Sequence, residues 1–135
     1  MSEYNFLEDI EEGIKASDQA EYNINEIHEL ILALKRSIQS KYNLELKERN
    51  MVDFNNIFKP LNALSKTAHP EKIFSLSSDS SSLDIMSLKL EDQGYPVKLS
   101  YDGQTYFCEN LNALQRAISN LLKTAYFGTI IKKLV

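Results

Sequence analysis

The stretch YPVKLSYDGQTYFC, residues 95–108, decides the fold of this chain. Apolar and polar residues alternate on both sides of Asp102–Gly103. Asp-Gly between two alternating runs is a strong hairpin signature, because a type I′ turn needs positive φ at both central residues. With that loop, Tyr101 faces Gln104, Leu99 faces Tyr106 and Val97 faces Cys108. One face of the hairpin then carries Val97, Leu99, Tyr101, Tyr106 and Cys108. The other carries Lys98, Ser100, Thr105 and Phe107. An antiparallel sheet with one covered and one largely wet face follows.

Upstream of the hairpin the alternating period continues. Ile73, Phe74 and Leu76 predict a strand, and Ser77–Ser82 a polar, serine-rich loop. Leu83, Ile85, Leu88 and Leu90 predict another strand with a slip near Met86, the mark of a β-bulge. Gln93–Gly94 predicts a turn into the hairpin. Downstream the period becomes helical. Asn110 or Asn112 caps a helix whose apolar set is Leu111, Leu114, Ile118, Leu121 and Leu122, continuing to Ala125 and Tyr126. Gly128 ends or bends that helix before Thr129–Val135.

The first third also reads as helix. Ile24, Ile27, Ile31, Leu34 and Ile38 follow a 3-4-3-4 spacing and share one stripe, and Leu7, Ile10 and Ile14 do the same upstream. Between the runs, Ser17–Ala20 interrupts the seam, and Asp18 with Glu21 has capping-box chemistry. Two helices, roughly 3–16 and 19–42, are expected, with one long kinked helix as the alternative. The seam is too short for a coiled coil, so packing against the rest of the fold is its expected use. Residues 44–70 read as irregular: Leu44–Lys47 alternates briefly, and Phe54, Ile57, Phe58, Leu61 and Leu64 suggest a short helix around Pro60. The expected fold is α+β, with N-terminal helices and a C-terminal helix on a small antiparallel sheet of three to four strands. It is read as one domain, 1–135, divided into 1–43, 44–70, 71–109 and 110–135.

The charges fall in blocks. Residues 1–34 hold nine of the nineteen carboxylates and one basic residue, Lys15. Residues 35–73 hold eight basic and four acidic side chains, 74–109 two and six, and 110–135 four and none. The helix macrodipole accounts for acids in a first turn and for Lys41 in a last one, but not for an acid excess sustained to Glu29. A solvated face explains such a run blandly; a binding surface explains it functionally.

At 135 residues, 43% hydrophobic and 25% charged, the composition is that of a soluble globular domain. The lone cysteine, Cys108, forms no internal disulfide, which fits a reducing compartment. The opening MSEYNFLEDIEEG lacks the basic-then-apolar order of a secretion signal, and no apolar run approaches a bilayer-spanning length. A cytoplasmic location away from membranes is expected. Net charge −4 argues against a general nucleic-acid binder. Two small basic clusters, Lys35–Arg36–Lys41 and Lys123–Lys132–Lys133, sit beside aromatics but face a strongly acidic block.

Chemistry-bearing patterns are sparse. His28 and His69 lie far apart, neither HExxH nor a CxxC pair exists, and no metal or cofactor is expected. Cys108 sits mid-strand, the place of a structural thiol, and GxSxG and phosphate-cradling loops are absent. Glu8, Asp9, Glu11 and Glu12 begin a surface helix, where solvent keeps carboxylates ordinary rather than splitting them into acid and base. A non-catalytic binder is therefore the expectation: an inhibitor of the immunity-protein or antitoxin type. Its Glu8, Glu11, Glu12, Asp18, Glu21 and Glu29 would meet a basic protein partner such as a nuclease toxin. The alternative is a dimeric, secretion-chaperone-like adaptor, pairing through Ile24, Ile27, Ile31, Leu34 and Ile38. A hydrolase would need a pocket joining His28 or His69 to carboxylates.

Overall fold

The Asp102–Gly103 turn forms with φ of 50° and 76°, and the register across it is Tyr101 with Gln104, Leu99 with Tyr106 and Val97 with Cys108. The computed structural model describes residues 6–51 and 69–135. Around the hairpin stands a five-stranded antiparallel meander: β1 (Glu45–Asn50), β2 (Lys72–Ser77), β3 (Ser82–Glu91), β4 (Gly94–Tyr101) and β5 (Gln104–Cys108), in spatial order β1-β2-β3-β4-β5. Among the described residues the helices are α1 (Leu7–Tyr42), α2 (Leu111–Leu122) and α3 (Ala125–Leu134). The class is α+β.

Among the described residues five strands rather than three to four are present, and the addition is β1. ELKERN buries only Leu46. As an edge strand it meets one neighbour, so charges on it stay wet and discourage further pairing; its alternation was legible only as far as Lys47. The slip near Met86 is a true bulge. Phe74 pairs with Met86 and Ser75 with Asp84, leaving Ile85 as the extra residue. Consecutive Ile85 and Met86 are therefore both buried, which strict alternation forbids.

All three helices cover the same face of the sheet. Ile27, Leu34 and Ile38 of α1, Leu114, Ile118 and Leu121 of α2, and Phe127, Ile130 and Leu134 of α3 meet Leu46, Phe74, Leu76, Leu88, Val97, Leu99 and Cys108. Burial on this scale, at about 25 cal/mol per Å² of apolar surface, is the main force holding the layers together. The opposite face stays wet, with Phe107 66% exposed beside Lys98, Ser100 and Thr105. There Arg49 forks onto Asp84 with two 3.0 Å hydrogen bonds and reaches Ser75 at 2.9 Å, clamping β1, β2 and β3 in register.

Two helical expectations are corrected. Residues 7–42 form one continuous helix rather than two. Asp18 caps nothing, because Gln19, Ala20 and Glu21 are good helix formers and no glycine or proline follows Gly13 before Asn43. The interrupted seam marks where the helix leaves the body, not where its backbone breaks. It stops at Asn43, left-handed at φ 56°, whose N–H donates to the Gln39 carbonyl. The C-terminal region is two helices rather than one. Thr124 ends α2 by donating to the Leu121 carbonyl and starts α3 by accepting from the Phe127 N–H. Gly128, the expected breaker, lies inside α3. Of the two cap candidates Asn110 is used, its side chain accepting from the Ala113 N–H. The short helix expected around Pro60 lies outside the described residues.

Candidate functional site

Helix α1 rises about 1.5 Å per residue, so its 36 residues extend about 54 Å. Only its C-terminal part rests on the sheet. Near the middle, Asn23 Nδ2 donates to the Gln93 carbonyl at 2.9 Å, and the Tyr95 hydroxyl donates to Glu26 at 2.6 Å. Burial and the adjacent carboxylate both push the Tyr95 phenol well above its usual range. Gly94 packs directly under Asn23. N-terminal to this anchor every residue from Leu7 to Gln19 is exposed. Among the described residues, no side chain from Glu8 to Asp18 takes part in a hydrogen bond or ion pair. This overhang, about 20 Å of helix, is termed the arm.

The arm is amphipathic. Ile10 and Ile14, 59% and 58% exposed, share one side. At 100° per residue they point about 100° away from the buried Ile27–Ile38 stripe. The upstream apolar run therefore does not continue the core seam, as its spacing had suggested; it faces solvent. Of the acidic residues singled out in the sequence, Glu8, Glu11, Glu12, Asp18, Glu21 and Glu29 are all exposed on α1. Glu11, Asp18 and Glu29 share one helical face by their spacing, Glu21 borders it, and Glu8 and Glu12 lie further round. The helix brings them onto one rod without gathering them into a cleft. Sequence reasoning missed that Glu26 is held by Tyr95, and that Ile10 and Ile14 belong to the surface. The signal for the second was present: the two apolar stripes are out of phase.

The stripe assigned to dimerisation is used internally. Ile27, Leu34 and Ile38 are buried on the sheet and Ile24 and Ile31 are half-buried. A dimer seam built on them would have to open the core.

A second feature lies beneath α1. A groove of about 700 Å³ runs between α1 and strands β1–β3, walled by Ile27, Ile31, Leu46, Phe74 and Leu88. His28, Lys35, Glu48, His69 and Lys72 stand along it, so tertiary structure unites two histidines 41 residues apart in sequence. Glu48, however, is paired with Lys72 at 3.3 Å. No hydrogen bond joins either imidazole to a carboxylate among the described residues. Cys108 is buried, which pushes its thiol up. Asp84 is pulled below its usual range by the Arg49 guanidinium and the Ser75 hydroxyl, as a structural clamp would be. Among the described residues no three His, Cys, Asp or Glu side chains converge to hold a metal ion, and no helix is long and apolar enough to cross a membrane.

In comparisons with known proteins, no family model, no curated protein and no solved structure matches this chain.

Proposed function

We propose that the protein is a non-catalytic, protein-binding inhibitor of the immunity-protein or antitoxin type, which presents the α1 arm to a basic protein partner such as a nuclease toxin. One observation carries this reading: the exposed arm is both acidic and apolar on one side. A helical segment as short as the arm would be marginal in water by itself. Exposed Ile10 and Ile14 add nothing to stability unless something covers them. Helix-in-groove recognition supplies that cover: apolar anchors at i and i+4 enter a groove while flanking charges steer approach and set register. Glu8, Glu11, Glu12, Asp18, Glu21 and Glu29 select a basic rim. The body then serves as a rigid holder that blocks the partner's substrate-binding surface. The adaptor reading loses its dimerisation stripe to the core and has no comparable support.

The test is retention of partners from the protein's own host by immobilised wild type and by a Glu8→Lys, Glu11→Lys, Glu12→Lys, Glu21→Lys variant. A basic protein should be held in low salt, leave as salt rises, be lost from the variant, and have its activity suppressed by the wild type. Equal retention of the same proteins by both forms sinks the reading.

A further inference from the structure

We infer that, free of any other partner, two copies of this chain pair antiparallel along the exposed side of α1, each arm seating at the far end of the other copy's helix. This goes beyond the proposed function and does not depend on it. It shares only the arm.

Three features of α1 converge on this arrangement. The first is electrical polarity. From Glu8 to Glu29 the helix carries eight acids and only Lys15, whereas residues 30–42 carry Lys35, Arg36 and Lys41 and no acid. Side by side in parallel, two such helices set acid on acid; antiparallel, they set acid on base. The second is a strip on one side of the helix, its members three, four or seven residues apart, which runs from Ile14 through Asp18, Asn25, Leu32 and Lys35 to Tyr42. All of these are exposed except Lys35, which is half-buried. Overlaid antiparallel so that Asn25 meets His28 of the second copy, this strip sets Asp18 against Lys35, with Glu12 against Lys41 at its margin. Such cross-helix charge pairs fix orientation more than they add strength.

The third is an apolar receiver where that overlay places the arm. A cleft of about 550 Å³ lies at the C-terminal end of α1, bounded by Tyr42, Leu122, Phe127, Ile131 and Lys132. It belongs to the region 110–135, which holds four basic residues and no acidic one. Ile10 and Tyr42 are about 48 Å apart along the helix, about 25 Å and about 23 Å on either side of the centre of that overlay. One two-fold axis therefore brings both arms onto both clefts, a closed isologous contact rather than an open chain. This dimer spends the face at 14–42, not the buried Ile27–Ile38 stripe. It also covers the same isoleucines that a basic partner would take, so dimer and partner complex compete.

Sedimentation equilibrium of the purified full-length chain, with no partner present, tests this against the 15.5 kDa monomer mass. The expected result is a reversible monomer–dimer equilibrium that weakens with salt. Ile10→Asp with Ile14→Asp, at exposed positions where circular dichroism should stay unchanged, should raise the dissociation constant about a hundredfold. Asp18→Lys or Lys35→Asp alone should raise it about tenfold in low salt. Combined, the two reversals should return it to near the wild-type value. A monomer at all concentrations overturns the inference. So does a dimer indifferent to the isoleucine variant, or charge reversals that add instead of cancelling. Because the measurement contains only this chain, its failure leaves the proposed partner untouched, and the loss of that partner would leave this dimer intact.

Discussion

Gly94→Ala probes the joint on which the arm's direction depends. Gly94 opens β4 at φ +99°, and a Cβ there would stand 2.8 Å from the Asn23 Cβ, closer than real Cβ atoms approach. Two costs follow. An L-side chain in left-handed backbone costs about 1–2 kcal/mol. Forcing an extra methyl between packed elements costs about 1–3 kcal/mol more. The neighbour cannot swing away, because the clash is with the first carbon of Asn23, fixed to the α1 backbone. The same shift would break the Asn23–Gln93 bond at 2.9 Å and loosen the Tyr95–Glu26 bond at 2.6 Å. Gly103→Ala supplies the control: its φ is +76°, but nothing lies within 4 Å of its Cβ, so only the backbone cost applies. The total is about 2–5 kcal/mol at Gly94 against about 1–2 kcal/mol at Gly103. Urea unfolding followed by circular dichroism measures both, and a 1 kcal/mol loss corresponds to about 3 °C in Tm for a chain of this size. Equal losses at the two glycines would refute the close α1–β4 contact and the anchor it provides for the arm.

Other substitutions separate the remaining forces. Gly128→Ala lies inside α3 with open space around its Cβ; it should gain about 0.5–1 kcal/mol, read as a higher urea midpoint. Thr124→Ala removes the hydroxyl that serves both α2 and α3 and should lose about 1 kcal/mol by the same assay. Asp84→Asn tests the clamp on the open face through pH. The lowered pKa of Asp84 means that its contribution is present above the ordinary carboxylate range and is lost as pH falls through its own folded value. The variant should therefore be slightly less stable than wild type at neutral pH, with the gap closing in acid. A gap undiminished once pH has fallen below the folded value of Asp84 itself would contradict the ion pair.

Local chemistry made much of this chain legible by itself. The Asp102–Gly103 turn, its register and the faces of β4 and β5 follow from two residues that tolerate positive φ and from strict alternation around them. The bulge near Met86 and the core stripe of α1 were equally readable, and the cap of α2 was readable to within Asn110 or Asn112, because each is set by neighbours a few residues away. What local chemistry could not show is which apolar stripe meets a surface. Ile10 and Ile14 have the same spacing as Leu34 and Ile38, yet only the second pair lies over the sheet, because α1 is longer than the layer it covers. The break at Ser17–Ala20 looked like a helix end for the same reason: a change of surroundings and a change of backbone leave one mark on a hydropathy pattern. Thr124 outranked Gly128 as the C-terminal break because α3 had to turn back onto β3, where Tyr126 reaches the Asp84 carbonyl. The fifth strand was hidden by its charges, which are favourable only at an edge. The groove joining His28 to His69, and the cleft at Tyr42, exist only once strands and helices distant in sequence are packed together. Sequence alone determined the hairpin, the bulge and the acidic character of α1. Tertiary structure decided which of its faces were left for a partner, since burial depends on what stands opposite a residue and not on the residue itself.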